Sequence, residues 1–167
     1  MDASNGLKEI ICRHELTVAD KIQIEEIISS SGCFSETDIK IAIEVADEHL
    51  NKKEESGYSF ILAESLGNVL GYICFGPIIG ADKRFEIYWI AILNNFRNLG
   101  IGKKLLQEAE RKIISTESRR IFVETSSKDA FQIAREFYKK NGYKKEAIIP
   151  DFYSDGDHKI IYSKRIK

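Results

Sequence analysis

The sequence predicts a mixed, mostly antiparallel α/β sheet with helices on both faces, in the order β-α-α-β-β-β-α-β-α-β-β. Three observations lead there. Residues up to about 50 hold two segments of helical apolar spacing, and from Ser59 the pattern becomes extended. A long strand, Phe85 to Leu93, carries no polar residue after Glu86, as expected of a strand covered on both faces. That strand runs through a glycine-containing loop into a second kind of segment, where Ile101, Leu105, Leu106, Ala109 and Ile113 recur at helical spacing.

In chain order, Ile10 to Glu15 is the first expected strand. Thr17 is a plausible N-cap for a helix reaching Ser30, with Ile22, Ile24, Ile27 and Ile28 on its apolar side. Ser35 followed by Asp38 is a variant of the capping box and opens a second helix towards Leu50. Ser59 to Glu64 and Val69 to Phe75 flank Leu66-Gly67-Asn68 as a hairpin. After the helix that starts at Ile101, Arg120 to Thr125 is a strand. A helix from about Phe131 to Lys140 follows, closed by Asn141-Gly142. Lys144 to Ile149 and His158 to Ile166 form a last strand pair around Asp155-Gly156.

The chain has 167 residues, 43% hydrophobic and 31% charged, which is ordinary usage for one globular domain covering residues 1–167. With 25 basic and 26 acidic side chains, the net charge of −1 disfavours a broad phosphate-backbone binder, so no nucleic-acid partner is expected. The three cysteines, Cys12, Cys33 and Cys74, are odd in number and lack CxxC spacing, and the histidines stand alone, so no metal is expected. The polar start is unlike a signal peptide, and the longest strictly apolar run, Ile87 to Leu93, falls far short of the ~20 residues that cross a bilayer. A cytoplasmic protein without a membrane partner is the expectation.

Chemistry concentrates in Arg97-Asn98-Leu99-Gly100-Ile101-Gly102, between a buried strand and an amphipathic helix. Glycines let backbone N–H groups turn inward and approach an anion closely, and the helix start adds unpaired N–H groups and the positive end of its dipole. Arg97, Lys103 and Lys104 add positive charge. A P-loop would need glycine where Arg97 stands and Ser or Thr where Lys104 stands; a dinucleotide fingerprint would need glycine in place of Leu105. The bland alternative is a loop that merely begins a helix.

R-x-x-G-x-G after a strand resembles the acetyl-CoA pyrophosphate loop of the GCN5-related N-acetyltransferases (GNAT). Ala134-Arg135-Glu136-Phe137-Tyr138-Lys139-Lys140-Asn141-Gly142-Tyr143 is similar to that family's second signature, A-x-x-x-Y-x-x-x-G-[FY], and the element order matches its fold. The stretch Asp151-Phe152-Tyr153, Gly156-Asp157 and Lys159 resembles the last hairpin of a bacterial subgroup. The resemblance implies an acetyl-CoA-dependent transfer straight from thioester to a primary amine. Ile90, Ala91 and Ile92 would pair with the pantetheine arm, and Arg97, Asn98, Leu99, Gly100, Ile101 and Gly102 would hold the pyrophosphate. Tyr138 would lie beside the CoA sulfur, as proton donor to the departing thiolate. Two departures stand out: Asn94 where many members have proline, and Phe131 where many carry a cofactor-contacting asparagine.

An amine of pKa ~10.4, or ~7.7–8.0 for an α-amine, must shed a proton before it attacks. Glu124 is the expected general base, acting through a water, with Glu86 on the neighbouring strand as its rival. Each residue also has a purely structural reading. Tyr138 would be a packing aromatic, Glu124 a salt-bridge partner of Arg119 or Arg120, and Glu86 an exposed strand-start charge. Cys74 is expected to be inert, His158 a hairpin surface residue, and Asp151, Asp155 and Asp157 a solvated turn. The acceptor is expected to be a small amine, with a peptide N-terminus as the alternative; a silent CoA-binding sensor or interaction module is the other. The resemblance allows a monomer or a homodimer.

Overall fold

A computed structural model describes residues 9–166. Seven strands form one sheet: β1 (Ile11–Arg13), β2 (Ser59–Ser65), β3 (Asn68–Pro77), β4 (Arg84–Ile92), β5 (Arg120–Ser126), β6 (Lys144–Ser154) and β7 (Asp157–Arg165). Their order is β1-β2-β3-β4-β5-β7-β6, antiparallel except for the central β4–β5 pair. Four helices cover it: α1 (Asp20–Ser30), α2 (Glu36–Lys52), α3 (Ile101–Ile114) and α4 (Gln132–Lys140). This is the mixed, mostly antiparallel α/β architecture that the sequence predicts.

Each sheet face has its own core. Leu16, Ile24, Ile27 and Ile28 pack with Phe60, Leu62 and Tyr72 beneath α1 and α2. On the other face Leu105, Leu106, Ala109 and Ile113 of α3 meet Ile61, Ile73, Ile121, Val123 and Tyr162. The five apolar positions read along α3 are all buried, as its spacing predicts. Among the described residues, one enclosed side-chain oxygen lacks a partner, the hydroxyl of Tyr72. An unsatisfied buried hydroxyl is costly, so Tyr72→Phe should raise stability by about 1 kcal/mol in urea denaturation.

Several local expectations hold. Ser35 and Asp38 form a reciprocal capping box at the start of α2. Leu66 (φ 53°) and Gly67 (φ 79°) make the tight β2–β3 turn. The start of α1 differs. Thr17 does not cap it; instead the buried Asp20 carboxylate accepts hydrogen bonds from the Thr17 backbone N–H (2.7 Å) and hydroxyl (2.8 Å) and from Arg13. The helix therefore begins two residues later, at Asp20. Ile22 is 75% exposed, because it lies two residues, or about 200° of helical rotation, before Ile24. The first strand is also shorter than expected, three residues long.

What positions the site is the middle of the sheet. β4 and β5 pair only from Arg84–Ile87 to Arg120–Val123. The β3–β4 register slips between Cys74–Trp89 and Phe75–Ile87, which makes Tyr88 an extra residue, a β-bulge. Bulges bend and twist a strand, and beyond this one β4 follows β3 while β5 follows β7. The two strands part like a wedge. For that reason β4 is not covered on both faces as its apolar sequence suggests: Ile87 and Ala91 are buried, whereas Tyr88, Trp89, Ile90 and Ile92 are only half-buried.

Candidate active site

The wedge opens into a cleft of about 460 Å³. One wall is Ile90, Ala91 and Ile92 of β4; the opposite wall is α4 and the short turn before it, through Phe131, Ala134, Phe137 and Asn141. One end of the cleft is closed by the loop of Arg97, Asn98 and Gly100 and the first residues of α3. Gly100 caps α3 in the left-handed region (φ 78°), with no side-chain acceptor for the first-turn N–H groups. A valine there would incur a left-handed backbone strain of about 1–2 kcal/mol. Arg97, Lys103 and Lys140 also line the cleft. Free helix-start amides, a glycine cap and three cations suit a phosphorylated ligand, and the half-buried apolar β4 wall suits an extended, largely uncharged arm.

Eight of the nine residues assigned to the cofactor from the sequence line this cleft: Ile90, Ala91, Ile92, Arg97, Asn98, Gly100, Ile101 and Gly102. Leu99 does not, and it is exposed. Gly102 lies against the α4 wall: a β-carbon there would sit 3.4 Å from the Phe137 ring. Several lining residues were not singled out from the sequence. Phe137, Lys140 and Asn141 lie inside the second signature and were within reach of it. Cys33 and Phe34, between α1 and α2, come from far away in the chain: Phe34 meets Phe131 edge-on at 5.8 Å, and the Cys33 thiol lies 3.3 Å from the Ala130 carbonyl. No local pattern announces such a pairing.

Tyr138 is not in the cleft lining. It is 5% exposed, its ring packed against Phe137, Tyr143 and Tyr162, and burial pushes its phenol well above the usual range. Its helical neighbours Ala134 and Asn141 do line the cleft, so it stands directly behind the wall. Cys74 is fully buried, and burial pushes its thiol upward.

The two carboxylates lie on the other face of the sheet. Glu86 pairs across β4–β5 with Phe122, and Glu124 follows two residues later, so both project towards the α1–α2 side, away from Tyr162. Burial, together with the nearby Glu124 charge, holds the Glu86 carboxyl above the usual carboxylate range, opposed by Lys159. Glu86 is half-buried, not an exposed strand-start charge. Glu124 pairs with neither Arg119 nor Arg120. Its carboxylate lies 2.5 Å from Lys159 Nζ, while Arg120 turns to Glu146. Lys159 in turn sits 3.6 Å over the ring of Phe152 and 5.9 Å from that of Tyr153. Burial and four acidic neighbours, Glu124 first, push the Tyr153 phenol up to about 12.

The hairpin polar residues are structural. His158 Nδ1 accepts from the Asp151 backbone N–H (2.9 Å), and its own backbone N–H donates to Ser127 Oγ (2.8 Å). Asp157 is not solvated: it is buried, accepts from the Ser126 hydroxyl and pairs with Lys128 at 3.3 Å. Among the described residues no group of three or more His, Cys, Asp or Glu is placed to hold a metal ion, and no helix is long and apolar enough to cross a membrane.

Comparison with known proteins places this architecture. Residues 24–143 match the model of the acetyltransferase (GNAT) family. An N-alpha-acetyltransferase of Sulfurisphaera tokodaii is 30% identical over 122 residues, covering 66% of this chain and 69% of that protein. A crystal structure assigned to the GNAT family, from Desulfovibrio desulfuricans, is 31% identical and superposes with a TM-score of 0.93 over 95% of this chain and 100% of that one. PaiA N-acetyltransferase from Thermoplasma acidophilum, solved in complex with coenzyme A, shares the fold at 22% identity, with a TM-score of 0.74 over 95% of this chain and 100% of its own. A splayed β4–β5 pair, a glycine-capped helix at one end of the cleft and a family match across 120 consecutive residues converge: the chain is an acetyltransferase of the GNAT family.

Proposed function

We propose that the protein transfers an acetyl group from acetyl-CoA directly to a primary amine within a ternary complex. The observation that carries this reading is the cleft between β4 and α4, lined by unpaired helix-start amides and three cations, with two carboxylates on the other face of the sheet where β4 and β5 pair. Acetyl-CoA supplies the activated acyl group. Arg97, Lys103, Lys140 and the amides of Ile101 and Gly102 hold its phosphates, and the β4 backbone from Ile90 to Ile92 aligns its arm. A β4 N–H polarises the reacting carbonyl, a fixed dipole placed where negative charge develops.

The amine enters from the α1–α2 side, over the β6–β7 hairpin. Glu86 and Glu124 take its proton, directly or through a water. Tyr138, kept protonated by burial, donates to the departing sulfur from the other side. A small amine is the first reading for the acceptor. A peptide α-amine is the second, favoured by the relative named N-alpha-acetyltransferase.

Parallel calorimetric titrations with acetyl-CoA, CoA and ATP test the cleft assignment. Binding of both CoA species and not ATP is expected; a folded sample that binds neither CoA species refutes it. Thiol release with a panel of amines and short N-terminal peptides then identifies the acceptor class.

A pH dependence follows from Glu86. A base must be ionised to work, and this carboxyl is held above the usual range, so the acid limb of kcat/KM should lie above that range as well. Glu124→Gln removes a neighbouring negative charge and should move the limb to lower pH. Lys159→Met removes the opposing cation and should move it to higher pH. A pH profile unmoved by both variants would show that Glu86 is not the group being titrated.

A further inference from the structure

Lys159 stands on β7 beside the two carboxylates. Its side chain is 12% exposed, unusually low for a lysine on a two-stranded hairpin. On β7 it pairs with Ser126, the last residue of β5, and so shares the sheet face of Glu124 and Glu86. Its ammonium lies 2.5 Å from Glu124 and 3.6 Å over the Phe152 ring, close enough to Glu86 to lower that carboxyl's pKa. Two carboxylates and an aromatic face are what a primary alkylammonium needs in order to leave water. The nitrogen resting against the candidate general base is therefore the protein's own.

We propose that Lys159 is an acetyl acceptor: the protein acetylates its own Lys159 Nζ from acetyl-CoA bound in the same molecule. This rests on the acetyl-CoA reading above. The ammonium gives one proton to Glu124. As Nζ bonds to the carbonyl carbon, the C–S bond breaks, and CoA leaves as the thiol, with its proton from Tyr138. Glu124 releases the first proton to solvent, takes the second from the nitrogen and releases it in turn; solvent reprotonates Tyr138 after CoA leaves, and the residue left is N-acetyl-lysine. The reaction is intramolecular in the acceptor, so it needs no second binding event. Its product is uncharged, so the ammonium that faces Glu124 is replaced by a neutral acetamide.

Chemical acetylation by free acetyl-CoA follows exposure, which supplies an internal reference. Lys40 on α2 has a side chain 78% exposed. The test incubates the full chain with acetyl-CoA and follows peptide masses over time. Lys159 is expected to be modified at least ~10-fold faster than Lys40, at a rate independent of protein dilution. Excess CoA, a competitor for the cleft, should remove that advantage without changing Lys40. Glu124→Gln should remove it as well, and Lys159→Arg should lose the mark; circular dichroism checks that both variants are folded. Lys159 modified no faster than Lys40, or faster but insensitive to CoA, overturns the proposal. Calorimetric binding of acetyl-CoA separates the two levels. Binding without Lys159 modification overturns self-acetylation alone, and no binding by the folded protein overturns the cleft assignment with it.

Discussion

Glu86→Gln combined with Glu124→Gln should lower kcat by roughly 10²–10⁴, the usual span for loss of general acid–base catalysis, while acetyl-CoA affinity stays within about twofold. The separation is expected because both carboxylates lie on the α1–α2 side of the sheet, whereas the cations and the glycine-capped helix line the cleft. Glutamine keeps shape and hydrogen-bonding capacity, so packing should survive. The single variants divide the roles. If Glu86→Gln alone reproduces the double loss, Glu86 is the base and Glu124 orders Lys159; the reverse pattern makes Glu124 the base. The two carboxylates sense each other's charge, so the single effects should not add. Steady-state thiol release and calorimetry on the same preparations make the measurement. A double variant that keeps more than half of wild-type kcat would remove both residues from the chemistry.

Arg97→Glu combined with Lys103→Glu should weaken CoA binding by ~100-fold or more, because each charge-assisted hydrogen bond is worth about 1.5–3 kcal/mol and each reversal adds repulsion. Binding should not vanish, since the α3 backbone amides remain. The residual affinity should also depend less on ionic strength than that of the wild type, because fewer phosphate–cation contacts are left for salt to screen. Titration at low and high salt reads both effects. Unchanged affinity in the double variant would place the phosphates elsewhere on the surface.

The elements of this fold were largely legible in the chain. The α3 stripe, the Ser35–Asp38 box and the Leu66-Gly67 turn are written in spacings of a few residues, and local chemistry was enough to form them. Where expectation failed, a contact from outside the segment prevailed. Thr17 lost its capping role because Arg13, from the first strand, holds the Asp20 carboxylate at the start of α1. β4 looked like a doubly covered strand because its sequence is apolar, but the bulge at Tyr88 turns half of that surface towards a cleft.

The site divides in the same way. The Arg97 to Gly102 loop is contiguous, so a strand, two glycines and a helix start announced it, and all of its residues but Leu99 line the cleft. The Glu86–Glu124–Lys159 cluster is assembled from β4, β5 and β7, whose residues stand far apart in the chain. The sequence makes Glu124 the expected general base, and its purely structural alternative pairs it with Arg119 or Arg120, close by in the chain. Successive strand residues point to opposite faces and pairing strands bring in distant ones, so its partner is Lys159, across the β5–β7 pair. By itself the sequence determined the fold class, the family and the glycine loop that lines the cleft, all encoded in short-range patterns. Only the tertiary structure decided which charges face one another around Glu86 and Glu124, because that depends on strand register and on the wedge between β4 and β5.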